Sequence, residues 1–288
     1  MASSIKVAAT ETETANKVPD TDKYRAPALD KGLDILELLA SHAYGLTQVE
    51  ISRSLGRSAN ELYRMLDRLV RRGYVVKPEP GERYHLSLKL FALAHRHPPV
   101  ERLAEAAAPI MRSVADSMEQ SVQLAVYDRG AAVVVAQTNP PGTWAYSIRR
   151  GAEVSLFNTG SGHVLLAFQS ERRRAQMLAE HRPVEGEVLL PITELEERVK
   201  AVQQRGYEYS QSAQVEGVIN LSAPVLDHDG RALAAMTIPY LRRIDTYKIP
   251  STKEATKILL EGAQALSYSV ASSASDYSTP DEPEKEHT

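Results

Sequence analysis

Two helix-start signals eleven residues apart constrain this chain more than any other feature. Thr47-Gln48-Val49-Glu50 and Ser58-Ala59-Asn60-Glu61 each put a hydroxyl residue three positions ahead of a glutamate. In that capping box the hydroxyl accepts from the third helical amide and the glutamate reaches back to the cap amide. Leu55-Gly56 lies between them, and glycine is the residue that ends a helix in a left-handed conformation. Two helices that begin this close together around a glycine turn form a helix-turn-helix over residues 46–74.

The second of these helices has two faces. Leu62, Met65, Leu66, Leu69 and Val70 recur with the period of one buried side. Asn60, Tyr63, Arg64, Asp67 and Arg71 gather on the opposite side, with Arg68 at its edge. Arginine and asparagine are the side chains that bind guanine and adenine edges through paired hydrogen bonds in the major groove. Ser58 and the first free amides stand at the positive end of the helix, where phosphate is favoured. Seven positive residues, Arg53, Arg57, Arg64, Arg68, Arg71, Arg72 and Lys77, face only Glu61 and Asp67 between positions 53 and 77, in a chain whose formal net charge is −3. A local positive patch on a mildly acidic chain is the footprint of a nucleic-acid-binding module. The candidate DNA-binding residues are Gln48, Arg57, Ser58, Asn60, Tyr63, Arg64 and Arg68, joined by Lys77 and Arg83 from the hairpin described next.

A helix over 27–41 opens on Pro27 and carries Leu29, Leu33, Leu36, Leu39 and Ala40 as a stripe that should pack on the pair. Short strands at 74–77 and 82–86, around Pro78-Glu79-Pro80-Gly81, form a β-hairpin, the wing of a winged helix-turn-helix. Residues 87–97 read as a helix capped by Ser87 and ended by Pro98-Pro99. His95 and His97 stand two apart and face different ways on such a helix, which argues against a metal pair. The expected organisation is a disordered tail at 1–22, a winged helix at 23–86, a linker helix at 87–99, a second domain at 100–271 and an acidic disordered tail at 272–288.

The second domain opens on a helix at 100–119. Strands follow at 121–138 around Asp128-Arg129-Gly130, then two short ones at 146–148 and 154–157. Thr159-Gly160-Ser161-Gly162-His163 opens the next helix, and 172–181 and 193–205 are helical. Strands at 206–210, 218–226 and 232–239 precede a closing helix at 251–270, with Asp227-His228-Asp229-Gly230 as a hairpin turn. Helices around an antiparallel sheet give an α+β sensor domain. The 288 residues hold no cysteine, which excludes disulfides and thiolate chemistry. No apolar run reaches the ~18 residues that span a bilayer, and no signal peptide opens the chain, so the expected location is the cytoplasm. No Walker loop, GxGxxG or HExxH is present, so no cofactor or metal is expected. Position 159 is Thr, which departs from the nucleophile elbow around Ser161 and argues against a hydrolase. A hydrolase-like enzyme and a winged helix that binds protein instead of DNA remain the competing readings.

The order of these segments resembles the IclR family of bacterial transcription regulators over residues 26–270. The resemblance is carried by APALDKGLDILELLA, the helix-turn-helix, the wing ending YHLSLKLFALA, and RGYEYSQSAQVEGVINLSAPVLDHDGRALAAMTI. It implies a winged helix that dimerises on a palindromic operator. It also implies a GAF-like domain that binds a small organic effector, often a carboxylate, and joins dimers into tetramers. By position, the effector would meet Thr159, Gly160, Ser161 and Gly162, then Ser210, Asn220 and Ser222, then Thr237 and Pro239. The family commonly has acids at Ser210, Ser212 and Ala213, a Cys at Asn220, a basic residue at His163 and a His at Phe157. Neutral hydroxyl and amide groups in place of charge point to an effector larger than a small keto acid, with Tyr146, Trp144 and Phe157 as apolar walls.

Overall fold

The computed structural model describes residues 26–79, 81–94 and 98–275. The chain divides into two compact units at the Ala94/His95 boundary.

In the first unit, α1 (Pro27–Ala40), α2 (Gln48–Ser54) and α3 (Ala59–Arg71) enclose one core of Ile35, Leu39, Leu46, Ile51, Leu62, Leu66, Val75 and Tyr84. Both capping boxes form. Thr47 Oγ1 accepts from Glu50 N at 3.2 Å while Thr47 N donates to Glu50 Oε2 at 2.8 Å. Ser58 and Glu61 repeat the exchange at 3.4 and 3.2 Å. Gly56 stands between the helices at φ +61°, a conformation in which a Cβ would be strained. The wing is three-stranded: β1 (Leu46–Thr47), β2 (Val75–Val76) and β3 (Arg83–Leu86) lie in the order β1-β3-β2. The α1 stripe differs from expectation. Ile35 and Leu39 are buried, whereas Leu29, Leu33 and Ala40 are exposed, because the helical turn sets Ile35 and Leu39 on one side of α1 and Leu29, Leu33 and Ala40 on another. After the wing, α4 begins two residues later than expected and is described over Lys89–Ala94. His95 and His97 lie outside the described residues.

The second unit opens with α5 (Pro98–Met118), so Pro98-Pro99 begins a helix. A proline in the first turn gives up only an amide that has no intrahelical partner there. Six antiparallel strands follow: β4 (Val122–Asp128), β5 (Ala131–Thr138), β6 (Glu153–Val154), β7 (Glu208–Gln211), β8 (Val218–Leu226) and β9 (Ala232–Leu241), in the order β6-β5-β4-β9-β8-β7. The expected strand at 146–148 is absent. Gly151 and Ala152 already hold the amide and carbonyl of Val134, which fills that edge of the sheet. One face of the sheet buries Leu221, Val225, Met236 and Ile238 against α5 and α9 (Thr252–Ser275). The closing helix thus runs past position 270 into the stretch expected to be disordered. Ser267 Oγ donates to Ala263 O and Ser272 Oγ to Tyr268 O, at 2.8 and 2.9 Å. The other face carries α6 (Gly160–Ala167), α7 (Glu171–Ala179) and α8 (Ile192–Arg205) over Ala125, Val134, Ala232 and Ala235.

Candidate functional site

The exposed side of α3 is built by the two cap residues and the two buried leucines. Ser58 fixes where the helix starts, and Leu62 and Leu66 fix which side faces inward. Asn60, Tyr63, Arg64 and Arg68 are consequently presented to solvent together. Among the described residues none of these four side chains has a hydrogen bond or ion pair. The surrounding residues are engaged. Arg57 is partly buried and pairs with Asp34 of α1 at 3.0 Å. Arg71 pairs with Asp67 at 2.9 Å. Gln48 Nε2 donates to Ala59 O at 3.0 Å, tying α2 to the start of α3. Arg83 grips Glu50 and the Gly45 carbonyl, each at 3.0 Å, and so braces the wing. Lys77 stands over the Tyr84 ring at 5.3 Å with its ammonium exposed. The nine predicted residues therefore separate into exposed side chains without internal partners among the described residues and a set of braces behind them.

The second site follows from strand register. Antiparallel pairing sets Gln123 opposite Thr237, Thr237 opposite Ser222 and Ser222 opposite Glu208. Alternation sends this polar row to the face covered by α6. Asn220 lies beside Pro239 and Ser210 in the next row. The start of α6 is laid directly on the two rows. A Cβ on Gly160 would come within 2.5 Å of Ser222 Oγ and 3.0 Å of Asn220 Cβ, so glycine permits that approach. Thr159 caps the helix, accepting from Gly162 N at 3.1 Å and donating to Ser155 O at 2.6 Å. Ser161 Oγ is 2.9 Å from Thr237 Oγ1, which donates to Ser222 Oγ at 2.8 Å.

A cavity of about 20 Å³ lies between these groups, lined by Tyr146, Thr159, Gly160, Ser161, Asn220, Thr237 and Pro239 of the predicted set. Ser222 sits directly beneath its floor. Gly162, Phe157 and Ser210 lie outside its lining: Gly162 packs on residues 155–156, and the Phe157 ring packs on His181 at 4.4 Å. Ser212, named as a neutral replacement for an acid, is in the wall, whereas sequence reasoning missed Gln123, Ile148, Val154, Gln214 and Val218. Gln123 is 4% exposed, and its Oε1 has no partner. Behind the loop, His163 Nδ1 is 2.8 Å from Glu208 Oε2 and Nε2 is 2.8 Å from Phe157 O. Burial pushes the Glu208 carboxyl up, but the His163 hydrogen bond and charge, aided by Arg205 and Ser210, outweigh it and hold it below the ordinary value.

Both units match known models. One described as the IclR helix-turn-helix domain matches residues 28–79, and one described as the bacterial transcriptional regulator IclR C-terminal domain matches residues 99–268. The chain belongs to the IclR family of transcription regulators. It is similar to the HTH-type transcriptional regulator BhcR of Paracoccus denitrificans, 26% identical over 249 residues that cover 85% of this chain and 87% of that protein. The HTH-type transcriptional regulator KdgR of Escherichia coli is 27% identical over 199 residues, covering 66% and 73%. In fold it resembles an IclR homolog from Microbacterium hydrocarbonoxydans complexed with 4-hydroxybenzoate, with a TM-score of 0.71, 20% identity and coverage of 85% and 99%. The Thermotoga maritima IclR gives a TM-score of 0.67 at 20% identity, covering 84% and 98%.

This IclR-family chain is thus a DNA-binding transcription regulator with a C-terminal effector-binding domain, and its family is not one of enzymes. The site chemistry agrees: both His163 nitrogens are spent on Phe157 and Glu208, so the ring does not activate Ser161. Among the described residues no helix is long and apolar enough to cross a membrane. One consequence of the loop packing is testable here. A Cβ on Gly162 would meet the Leu156 Cα and Ser155 O backbone atoms at 2.5 Å, and backbone cannot swing aside. Gly162→Ala is expected to destabilise the C-terminal unit by about 1–3 kcal/mol, read by thermal unfolding. Gly160→Ala should cost less, because its closest neighbour is the rotatable Ser222 hydroxyl.

Proposed function

We propose that two copies of this chain bind a two-fold-symmetric operator and that an aromatic or similarly sized organic acid in the C-terminal cavity alters that affinity. The observation that carries the DNA part is the open face of α3. Asn60, Tyr63, Arg64 and Arg68 are free of internal partners while the neighbouring basic residues are tied down. Asn60, Arg64 and Arg68 read base edges, Tyr63 packs beside them, and the Ser58 end of the helix and Lys77 meet phosphate. Arg57, Gln48 and Arg83 hold the helix and wing at the angle this requires. A dimer is supported by the exposed apolar residues Leu29 and Leu33 of α1 and Leu88, Phe91 and Leu93 around α4, a density unusual for a solvated surface. The two recognition helices then enter half-sites about 34 Å apart, and the C-terminal units join dimers in pairs.

The effector part rests on the hydroxyl and amide row beneath the α6 start, and on the relative that is complexed with 4-hydroxybenzoate. An aromatic acid does not fit in about 20 Å³, a space for roughly one water. The irregular 144–148 and 212–217 segments must therefore move outward as it enters. Effector control requires that the ligand favour one arrangement of the dimer over another.

Binding to a fragment of its own promoter, measured from 50 to 200 mM salt, tests the DNA reading. Six to ten phosphate contacts predict a loss of about 10³–10⁵ in affinity over that range. An affinity that barely changes would count against phosphate contacts and with them the DNA reading. For the effector, 4-hydroxybenzoate and benzoate are expected to shift DNA affinity. Tight binding of glyoxylate or pyruvate without any response to aromatic acids would overturn the assignment.

A further inference from the structure

Next to the inner cavity lies a larger groove of about 340 Å³, within the range that ligand sites occupy. It runs between the end of α5, the segment at 144–146 and the chain that leaves β9. Tyr146 lines both spaces. Two observations indicate what the groove accepts. Its walls expose Trp144 and Ile244 at 76% and 95%, large apolar groups left to solvent on the same rim. Its charged groups are also unequally engaged. Arg243 pairs with Asp245, and Glu119 accepts from the Tyr247 hydroxyl at 3.0 Å. Arg242 is exposed and, among the described residues, has neither a hydrogen bond nor an ion pair. An indole face beside an unpaired guanidinium suits a ligand that is both aromatic and anionic, since stacking and charge pairing are satisfied by one planar molecule.

We infer that this groove is a second binding site, specific for aromatic anions, which lie against Trp144 with their acidic group on Arg242. It stands on its own geometry and not on the reading of the inner cavity. Occupying it contacts Tyr146, which also lines the inner cavity.

The test uses the full chain and 8-anilinonaphthalene-1-sulfonate, an aromatic sulfonate. Trp144 is the only tryptophan, so its emission reports the groove directly. Titration should quench it saturably with one probe per chain. Arg242→Gln, at an exposed position that leaves the fold intact, should weaken the probe at least five-fold. Thr237→Val, inside the inner cavity, should leave its affinity within two-fold. Quenching that does not saturate, or unchanged affinity in Arg242→Gln, would overturn the site. An equal loss in Thr237→Val would place the probe in the inner cavity and overturn it as well. If Arg242→Gln weakens the probe while aromatic acids leave DNA affinity untouched, the groove stands and only the effector reading fails.

Discussion

Glu208→Ala is expected to destabilise the C-terminal unit by about 1–3 kcal/mol, the cost of leaving a buried hydrogen-bonding group without its partner. Both members are closed off from water, Glu208 at 3% and His163 at 1% exposed. His163 faces an acceptor at each nitrogen, the Glu208 carboxylate and the Phe157 carbonyl. Taking away the carboxylate strands that ring in an interior that offers no replacement. The damage is also local to function: His163 is in the first turn of α6, and Phe157 belongs to the loop that leads to Thr159. The variant should therefore lose effector response along with stability, while α3 and its DNA contacts persist. A change below about 1 kcal/mol in calorimetric unfolding would reduce the pair to the worth of an exposed one.

The pH dependence of the same pair has a definite sign. The Glu208 carboxyl titrates below its ordinary value of 4.5 in the folded chain. A carboxyl lowered by folding adds stability that is fully present above its unfolded value and is lost as pH falls through the folded one. The stability gap between the wild type and Glu208→Gln should hold from pH 7 down to about 4.5 and then narrow in more acidic buffer. A gap that widens on acidification would contradict the assignment.

The DNA-binding unit was legible because its signals are local. Each capping box spans four residues, Gly56 marks the turn, and Leu62 and Leu66 recur at the helical period. What escaped there depends on partners distant in the chain. β1 pairs Leu46 and Thr47 with Tyr84 and Arg83, and no pattern within residues 46–47 announces a strand when Thr47 already reads as a cap. Leu29 and Leu33 lie on a different side of α1 from the buried Ile35 and Leu39 and stay exposed, since periodicity shows that a face is apolar and not what covers it. In the second unit the Gly-Ser run at 159–162 identified the helix start by its own composition. Asn220, Thr237 and Pro239 came from the family resemblance. Gln123 came from neither, because its role rests on being opposite Thr237, more than a hundred residues away. The same holds for His163 and Glu208, each an ordinary polar residue until β7 joins the sheet edge and brings them to 2.8 Å.

Arg64→Ala combined with Arg68→Ala is expected to abolish operator discrimination while leaving the fold untouched. Both side chains are exposed and neither has an internal partner, so stability should change by no more than about 0.5 kcal/mol. Each good bidentate arginine–guanine pair is worth about 1–3 kcal/mol of discrimination. Removing two per protomer from a dimer therefore costs several powers of ten in specific affinity. Non-specific binding should suffer far less, because phosphate contacts from the Ser58 end of α3 and Lys77 remain and carry no sequence information. Specific and non-specific affinities should accordingly converge in competition assays with promoter and unrelated fragments. The comparison with Arg57→Ala separates reading from bracing. Arg57 holds Asp34 at 3.0 Å behind the helix, so its loss should weaken binding to all sequences and lower the melting temperature of the winged helix. If the double variant keeps its preference for the promoter fragment, base reading does not reside on this face of α3 and must be sought on the wing.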